Sequence, residues 1–262
     1  MTPGILAKIL AQKRLRVEAA RSSRGIDGLR KVADKKMPRG KDFVAAITRT
    51  DRTNIIAEFK RASPSKGSIK ERAAPENIAA IYEKGGAAAT SILTEEDFFK
   101  GSLDDLERVR NTTYLPILRK DFIFDEYQIY ESAAFGADAI LLIVSALTKR
   151  ELSDMQALAW ENGLAALVEV HNRKELDVAL ETGAKVIGVN NRDLHTFETS
   201  LNVSREMIKH VPGDIVMVAE SGISTREEIK ELQELGYSAF LIGESLMRSA
   251  DPEKALTTLL GG

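Results

Sequence analysis

The chain has no cysteine, which excludes disulfides, thiolate nucleophiles and Cys-ligated zinc or iron–sulfur sites, and fits a reducing cytoplasm. Its three histidines, His171, His195 and His210, show no ligand spacing such as HExxH. No metal is therefore expected, and each histidine reads as structural or surface. Long apolar runs are also missing. The longest, "AILLIV" at residues 139–144, is far short of the ~20 residues that span a bilayer. No GxSxG elbow, Walker loop or early GxGxxG is present, so neither a hydrolase nor a nucleotide site has motif support. Neither charge sign dominates: 37 Lys plus Arg face 39 Asp plus Glu, a net charge of -2. No global field favours nucleic acid or an acidic membrane, and any anion site must be local. The lone tryptophan, Trp160, falls in a helical pattern where packing accounts for it.

What is present is a repeat. Eight apolar segments read as strands, at residues 54–60, 89–95, 115–122, 137–144, 165–170, 185–191, 214–221 and 239–244. Their starts recur about every 26 residues, the length of a βα unit. Helical patterns lie between them, several opening on Ser, Thr, Asp or Pro and closing on Gly, the signals of capped ends. Segments such as "AILLIV" and "VIGV" are apolar on both faces, so the sheet must be parallel and covered on both sides. Closure removes both sheet edges, which favours a (β/α)8 TIM barrel over an open doubly wound sheet. The 262 residues suit one such domain of about 250 residues, with residues 1–50 as an N-terminal helical extension. The first 25 residues are basic and amphipathic, with Ile5, Leu6, Ile9 and Leu10 near helical spacing. A surface helix packed on the domain is expected there, with a transit peptide as the alternative.

A barrel enzyme builds its site at the C-terminal ends of its strands. Those ends carry Glu58 and Lys60, Glu95, Lys120 and Asp121, Glu169, Asn190 and Arg192, Glu220 and Ser221, then Gly243 and Glu244. Side chains two apart on a strand share a face, so Glu58 pairs with Lys60 and Asn190 with Arg192. Glu169 and Glu220 sit among apolar neighbours, where an ionised carboxylate needs a cation; Lys60, Lys120 and Arg192 are the candidates. Arg61 and Lys66 individually read as loop-edge charges, either solvated or in an ion pair. Gly222 and Gly243 read as standing at the starts of the helices that follow the last two strands, which predicts a backbone cradle for a phosphate monoester.

Six stretches, "IIAEFKRASPSKG", "LPILRKDFIFDEYQIYE", "ALVEVHN", "IGVNNRDL", "VAESGI" and "IGESLM", resemble the indole-3-glycerol phosphate synthase family in order and interval, across all eight strands and the extension. The resemblance implies conversion of 1-(2-carboxyphenylamino)-1-deoxyribulose 5-phosphate into indole-3-glycerol phosphate, carbon dioxide and water, with no cofactor. It implies Lys120 as general acid, Glu169 as general base, and Lys60 as an anion-binding lysine suited to acid work in dehydration. Glu58 and Glu220 match carboxylates that position the lysines and substrate. Asn190 and Arg192 match contacts to hydroxyls and the substrate anion, and Ser63 and Ser221 match further binding positions. Gly222, Gly243 and Glu244 fall at the phosphate cradle. Glu244 departs from relatives with Ser there, so its amide alone should serve and its carboxylate should point away. Phe99, Phe122, Leu141 and Leu194 match an apolar pocket for the anthranilate ring.

The expected partner is a small phosphorylated substrate, with no nucleic acid and no membrane, for a cytoplasmic protein that is a monomer or at most a weak dimer. A related barrel such as phosphoribosylanthranilate isomerase is the competing enzyme reading, and the Lys60, Lys120 and Glu169 set argues against it. A non-catalytic phosphate-binding barrel, or an engineered scaffold with another activity, is the competing reading of a different class. Gly67 is the expected hinge of a mobile first loop.

Overall fold

The computed structural model describes residues 4–36, 38–64, 67–193 and 196–262. Its barrel strands are β1 (Ile55–Phe59), β2 (Ala89–Leu93), β3 (Ile117–Lys120), β4 (Ala139–Ile143), β5 (Ala165–Val170), β6 (Val186–Asn190), β7 (Val216–Glu220) and β8 (Ala239–Ile242). Each is hydrogen-bonded in parallel to its neighbours in chain order, and β1 closes on β8 through Ile55↔Phe240, Ile56↔Leu241 and Ala57↔Ile242. The eight apolar segments are thus the eight strands of a (β/α)8 barrel, each trimmed or kept at its ends.

Alternation along each strand builds two cores. Ile55, Ala57 and Phe59 point outward into the layer shared with the helices, as do Ile117, Val168, Val170, Ile187 and Val189. Ile56, Leu118, Leu141, Leu167, Val186, Val218 and Leu241 point inward and fill the barrel. Three helices precede β1: α1 (Ile5–Ser23), α2 (Ile26–Lys36) and α3 (Gly40–Ile47). Helix α3 drives Phe43 and Ile47, both fully buried, into the inner core. These side chains stopper the end opposite the strand C-termini, and a cavity opens at the other end.

The outer helices start and stop where their caps dictate. Asp125, Thr148 and Thr225 each close a capping box, and Gly136, Gly236 and Gly261 end helices in the left-handed conformation. Trp160 corrects the expectation of packing. It is 68% exposed on the outer face of helix Lys149–Glu161, with the Lys41 Nζ 5.8 Å from its ring centroid.

Candidate active site

The inward rows end in charge. On β1 the row Ile56, Glu58 continues to Lys60 beyond the strand, and Lys60 Nζ meets Glu58 Oε1 at 2.7 Å. On β3 the row ends in Lys120, whose Nζ donates to Glu169 Oε2 of β5 at 3.1 Å and to Glu220 Oε2 of β7 at 2.9 Å. These residues line one cavity of about 510 Å³ at the strand C-termini. The cavity also takes in Ser63, Phe99, Phe122, Leu141, Asn190, Arg192, Ser221, Gly222, Gly243 and Glu244. Leu194 lies outside the described residues, as do Lys66 and His195.

Burial sets the electrostatics. Burial alone would depress the Lys120 ammonium, but Glu169, Glu220 and Glu58 outweigh it and hold the group well above the usual lysine range. The two carboxylates on Lys120 then diverge. Burial would raise Glu169, and Lys120 with His171 overcomes this and brings it well below the usual carboxylate range. Burial pushes Glu220 up to about 7 against the pull of Lys120, with repulsion from Glu169 and Glu58 adding to the rise. The two carboxylates are therefore pushed in opposite directions, Glu169 toward the anion and Glu220 toward the protonated form.

Two glycines make room for these acids. A Cβ at Gly188 of β6 would collide with the Glu220 carboxylate, and one at Gly243 would lie 2.5 Å from Glu58 Oε1. The small residues on β6 and after β8 thus admit long acidic side chains from neighbouring strands.

On the apolar side, the Phe99 and Phe122 rings sit 6.2 Å apart, tilted by 40°, and Leu141 lines the same cavity. Opposite, Asn190 Oδ1 accepts from the Arg192 N–H at 3.1 Å, bracing the turn after β6. The Glu244 carboxylate contacts Arg192 Nη2 and Arg248 Nε, each at 3.3 Å. It does not point away from the cavity wall, contrary to expectation, because two guanidinium groups draw it in. The Gly222 expectation also changes. Gly222, with φ of +76°, lies before the helix rather than at its start. That start is closed by Thr225 and Glu228, the latter accepting from the Ser224 and Thr225 N–H groups. Of Gly222 and Gly243, it is Gly243 that caps a helix directly, the short Glu244–Arg248.

Not every charged strand end joins the cavity chemistry. Glu95 accepts from the Asp97, Phe98 and Phe99 N–H groups at 2.7–3.0 Å and folds the loop after β2. Asp121 faces away from the barrel interior and pairs with Arg119 and Lys13. The Glu95, Glu96 and Asp97 carboxylates lie near one another, but backbone N–H groups, Lys13 and Arg16 already answer them.

Several contributors escape a reading of strand ends. Helix α1 is more than a surface helix: Ile5, Leu6 and Ile9 line the cavity. It is held there by the buried Lys13, bonded to Glu96 at 2.6 Å and to Asp121 at 2.9 Å, and by Arg16 on Asp97 at 2.7 Å. Arg248 also lines the cavity. His171 lies behind Glu169, with Nε2 3.2 Å from Glu169 Oε1. The two-residue offset from Glu169 was the available signal for His171. A lysine at position 13 in an otherwise apolar stripe was the signal for the α1 anchor.

The family model for indole-3-glycerol phosphate synthase matches residues 6–259 of the chain. Curated relatives of that name from Alkaliphilus metalliredigens and Carboxydothermus hydrogenoformans are 45% and 46% identical over 258 and 261 residues. They cover 98% and 97% of this chain, and 98% and 99% of their own lengths. Among solved structures, a variant of the tryptophan synthase alpha-subunit from Pyrococcus furiosus aligns with a TM-score of 0.62. It is 15% identical over 80% of this chain and 99% of that one, a likeness that carries the barrel fold alone. With the family model spanning nearly the whole sequence and full-length relatives at this identity, the chain belongs to the indole-3-glycerol phosphate synthase family.

Proposed function

We propose that Lys120 and Glu169 carry the proton transfers of this chain's reaction, in a cavity whose other walls bind the substrate's two anions and its aromatic ring. As a family member the chain is a carboxy-lyase of tryptophan biosynthesis. It converts 1-(2-carboxyphenylamino)-1-deoxyribulose 5-phosphate into indole-3-glycerol phosphate, carbon dioxide and water. The observation that carries the assignment of roles is the Lys120 ammonium, shared between Glu169 and Glu220 at 3.1 and 2.9 Å inside the cavity.

The ring carbon that bears the carboxylate attacks the ketone, and negative charge gathers on the carbonyl oxygen. Lys120 is the cation to meet that charge and deliver a proton to it. Loss of carbon dioxide restores the aromatic ring. The new hydroxyl then departs as water while Glu169, held as an anion, takes the proton that leaves the five-membered ring. Lys60, braced by Glu58 at 2.7 Å, serves the substrate anion and the departing hydroxyl. Glu220 holds Lys120 in place. Phe99, Phe122 and Leu141 receive the aromatic ring, and Asn190, Arg192 and Ser63 receive hydroxyls and the carboxylate. The phosphate falls to Ser221, Gly222, the backbone at Gly243 and Glu244, and the Arg248 guanidinium, with the Glu244 side chain turned aside on binding. The same reading has the chain act as a cytoplasmic monomer without a nucleic acid or membrane partner; among the described residues no helix is long and apolar enough to cross a membrane. The reaction asks only for proton transfer and anion binding, so no cofactor is invoked.

The test follows indole fluorescence as the carboxyphenylamino ribulose phosphate is consumed. The parent should turn over, and Lys120→Ala and Glu169→Gln should each lower kcat by about 10²–10⁴ while still binding a substrate analogue. A parent without turnover, or variants as active as the parent, would overturn the reading.

A further inference from the structure

Strand β5 does not stop contributing at Glu169. Two residues on, the His171 ring follows Glu169 toward the same side and is mostly buried. Its Nε2 stands 3.2 Å from Glu169 Oε1, and its Nδ1 stands 3.0 Å from Glu175 Oε2. Glu175 is itself fixed by the start of helix Arg173–Glu181. Its carboxylate accepts from the His171 N–H at 2.8 Å and from Asn172 Nδ2 at 2.6 Å, while Asn172 caps the helix by accepting from the Glu175 N–H. The helix start thus places one carboxylate against one ring nitrogen, and the catalytic strand places another against the other.

A neutral imidazole in that position would turn a lone pair toward one of the two carboxylates. The imidazolium turns no lone pair toward either, and it brings positive charge to 3.2 Å from Glu169 Oε1. The contact with Glu169 is one of charge rather than an aligned hydrogen bond, since Nε2 lacks hydrogen-bond geometry to any described atom. Burial would lower the ring, yet Glu169 and Glu175 overcome it and raise it to about 10.

We infer that His171 is a positioning residue that, as a buried imidazolium braced by Glu175, selects Glu169 rather than Glu220 as the ionised partner of Lys120. The inference rests on the role assigned to Glu169 above. The surrounding charges do not make that selection alone. Lys120 of β3 touches both carboxylates almost equally, and Glu58 of β1, with Lys60 on it, bears on Glu220 by repulsion. His171 and Glu175 act from the other side, where the imidazole Nε2 stands 3.2 Å from Glu169 Oε1. Without the imidazolium, Glu169 would lose the cation beside its Oε1, and its carboxylate would take up a proton at higher pH.

The experiment compares pH profiles of kcat for the parent, His171→Asn and Glu175→Gln, with Glu169→Gln as the control for the base. Glu175→Gln keeps a side chain able to cap the helix, so it serves if the histidine variant fails to fold. In both variants the acid limb should move up by about one pH unit or more, a roughly tenfold loss on the limb. Activity at the alkaline plateau and KM should stay within about threefold of the parent. In parallel, the imidazole nitrogen resonances of the parent missing from His171→Asn should report a doubly protonated ring at pH 8. Unmoved profiles, a loss equal at every pH, or a singly protonated His171 at pH 8 would overturn the inference. An active parent with an inactive Glu169→Gln and unmoved profiles sinks this inference alone, whereas a parent without turnover or a fully active Glu169→Gln sinks the catalytic reading beneath it.

Discussion

Strand β3 sends Lys120 into the barrel and Arg119, with Asp121 just beyond, out of it, so two buried charge clusters grow from adjacent residues. Outside, Arg119 spans Asp121 at 3.0 Å, Glu131 at 2.9 Å, the Ser132 and Thr94 hydroxyls and the Gln128 carbonyl. Asp121 accepts in addition from Lys13, the Thr94 hydroxyl and the Phe122 N–H. Burial would raise Asp121, but Lys13 and Arg119 bring it down to about 2. Inside, Lys120 serves two acids, and Glu220 Oε1 meets no hydrogen-bond donor among the described residues. The outer cluster is closed on itself and fastens α1 to the barrel. The inner one lines an open cavity and leaves Glu220 Oε1 buried against Gly188 without a donor, so it costs the fold more than the outer one does.

Breaking the outer cluster should produce the largest loss of stability. Asp121→Asn leaves Lys13 and Arg119 buried without their shared anion, at a cost of about 3–5 kcal/mol. Turnover per folded molecule should stay within tenfold, since the cavity walls keep their own charges. Lys120→Met should do the reverse. It should abolish turnover and cost less stability at pH 7, because Glu220 can shed its charge by keeping a proton. Urea midpoints and initial rates on the same preparations check both. Equal destabilisation by the two changes at pH 7 would erase the distinction between the clusters.

The two carboxylates also predict opposite responses to pH. Asp121 lies below its unfolded value, so its contribution is present above about pH 4 and is lost as pH falls toward 2. Glu220 lies above its unfolded value, so its contribution is full below about pH 4 and is lost as pH rises through 7. An amide at 220 has no charge to bury. Relative to the parent, Glu220→Gln should therefore gain stability between pH 5 and pH 8, by about 2–3 kcal/mol. Denaturant midpoints at the two pH values measure it, and a difference that does not change with pH would show that Glu220 is ionised throughout.

The barrel was legible because its signal is repeated. Period-two rows such as Ile56, Glu58, Lys60 carry their own inward direction, and eight such units leave little choice of topology. The cavity-facing acids and lysines followed from the same parity. Strand ends were less legible, since a charge at an end reads alike whether it enters the cavity, as Lys120 does, or faces outward, as Asp121 does. Lys13 and His171 were missed for a different reason: each acquires its role from a partner distant in sequence or across a helix start, and neither partner is fixed until the chain has folded. Trp160 misled because a helical pattern says that a face is buried without saying which residues of the other face stay out.

The smallest expected effect probes how tightly the inner cluster is confined. Gly188 read as one more apolar strand residue, yet a methyl group there would overlap the Glu220 carboxylate and approach Leu167 Cδ1 at 3.2 Å. The backbone of β6 cannot retreat without breaking its ladder to β5 and β7. The side chain that yields must be Glu220, which swings off Lys120. Gly188→Ala should cost about 1–3 kcal/mol as an overpacked site and lower kcat by about tenfold through the displaced carboxylate, with KM nearly unchanged. Gly213→Ala is the matched control, because a methyl group there meets nothing within 4 Å. If Gly188→Ala lowers stability and leaves kcat untouched, the Glu220 contact with Lys120 is packing alone, and the inner cluster resembles the outer one more closely than its open cavity suggests.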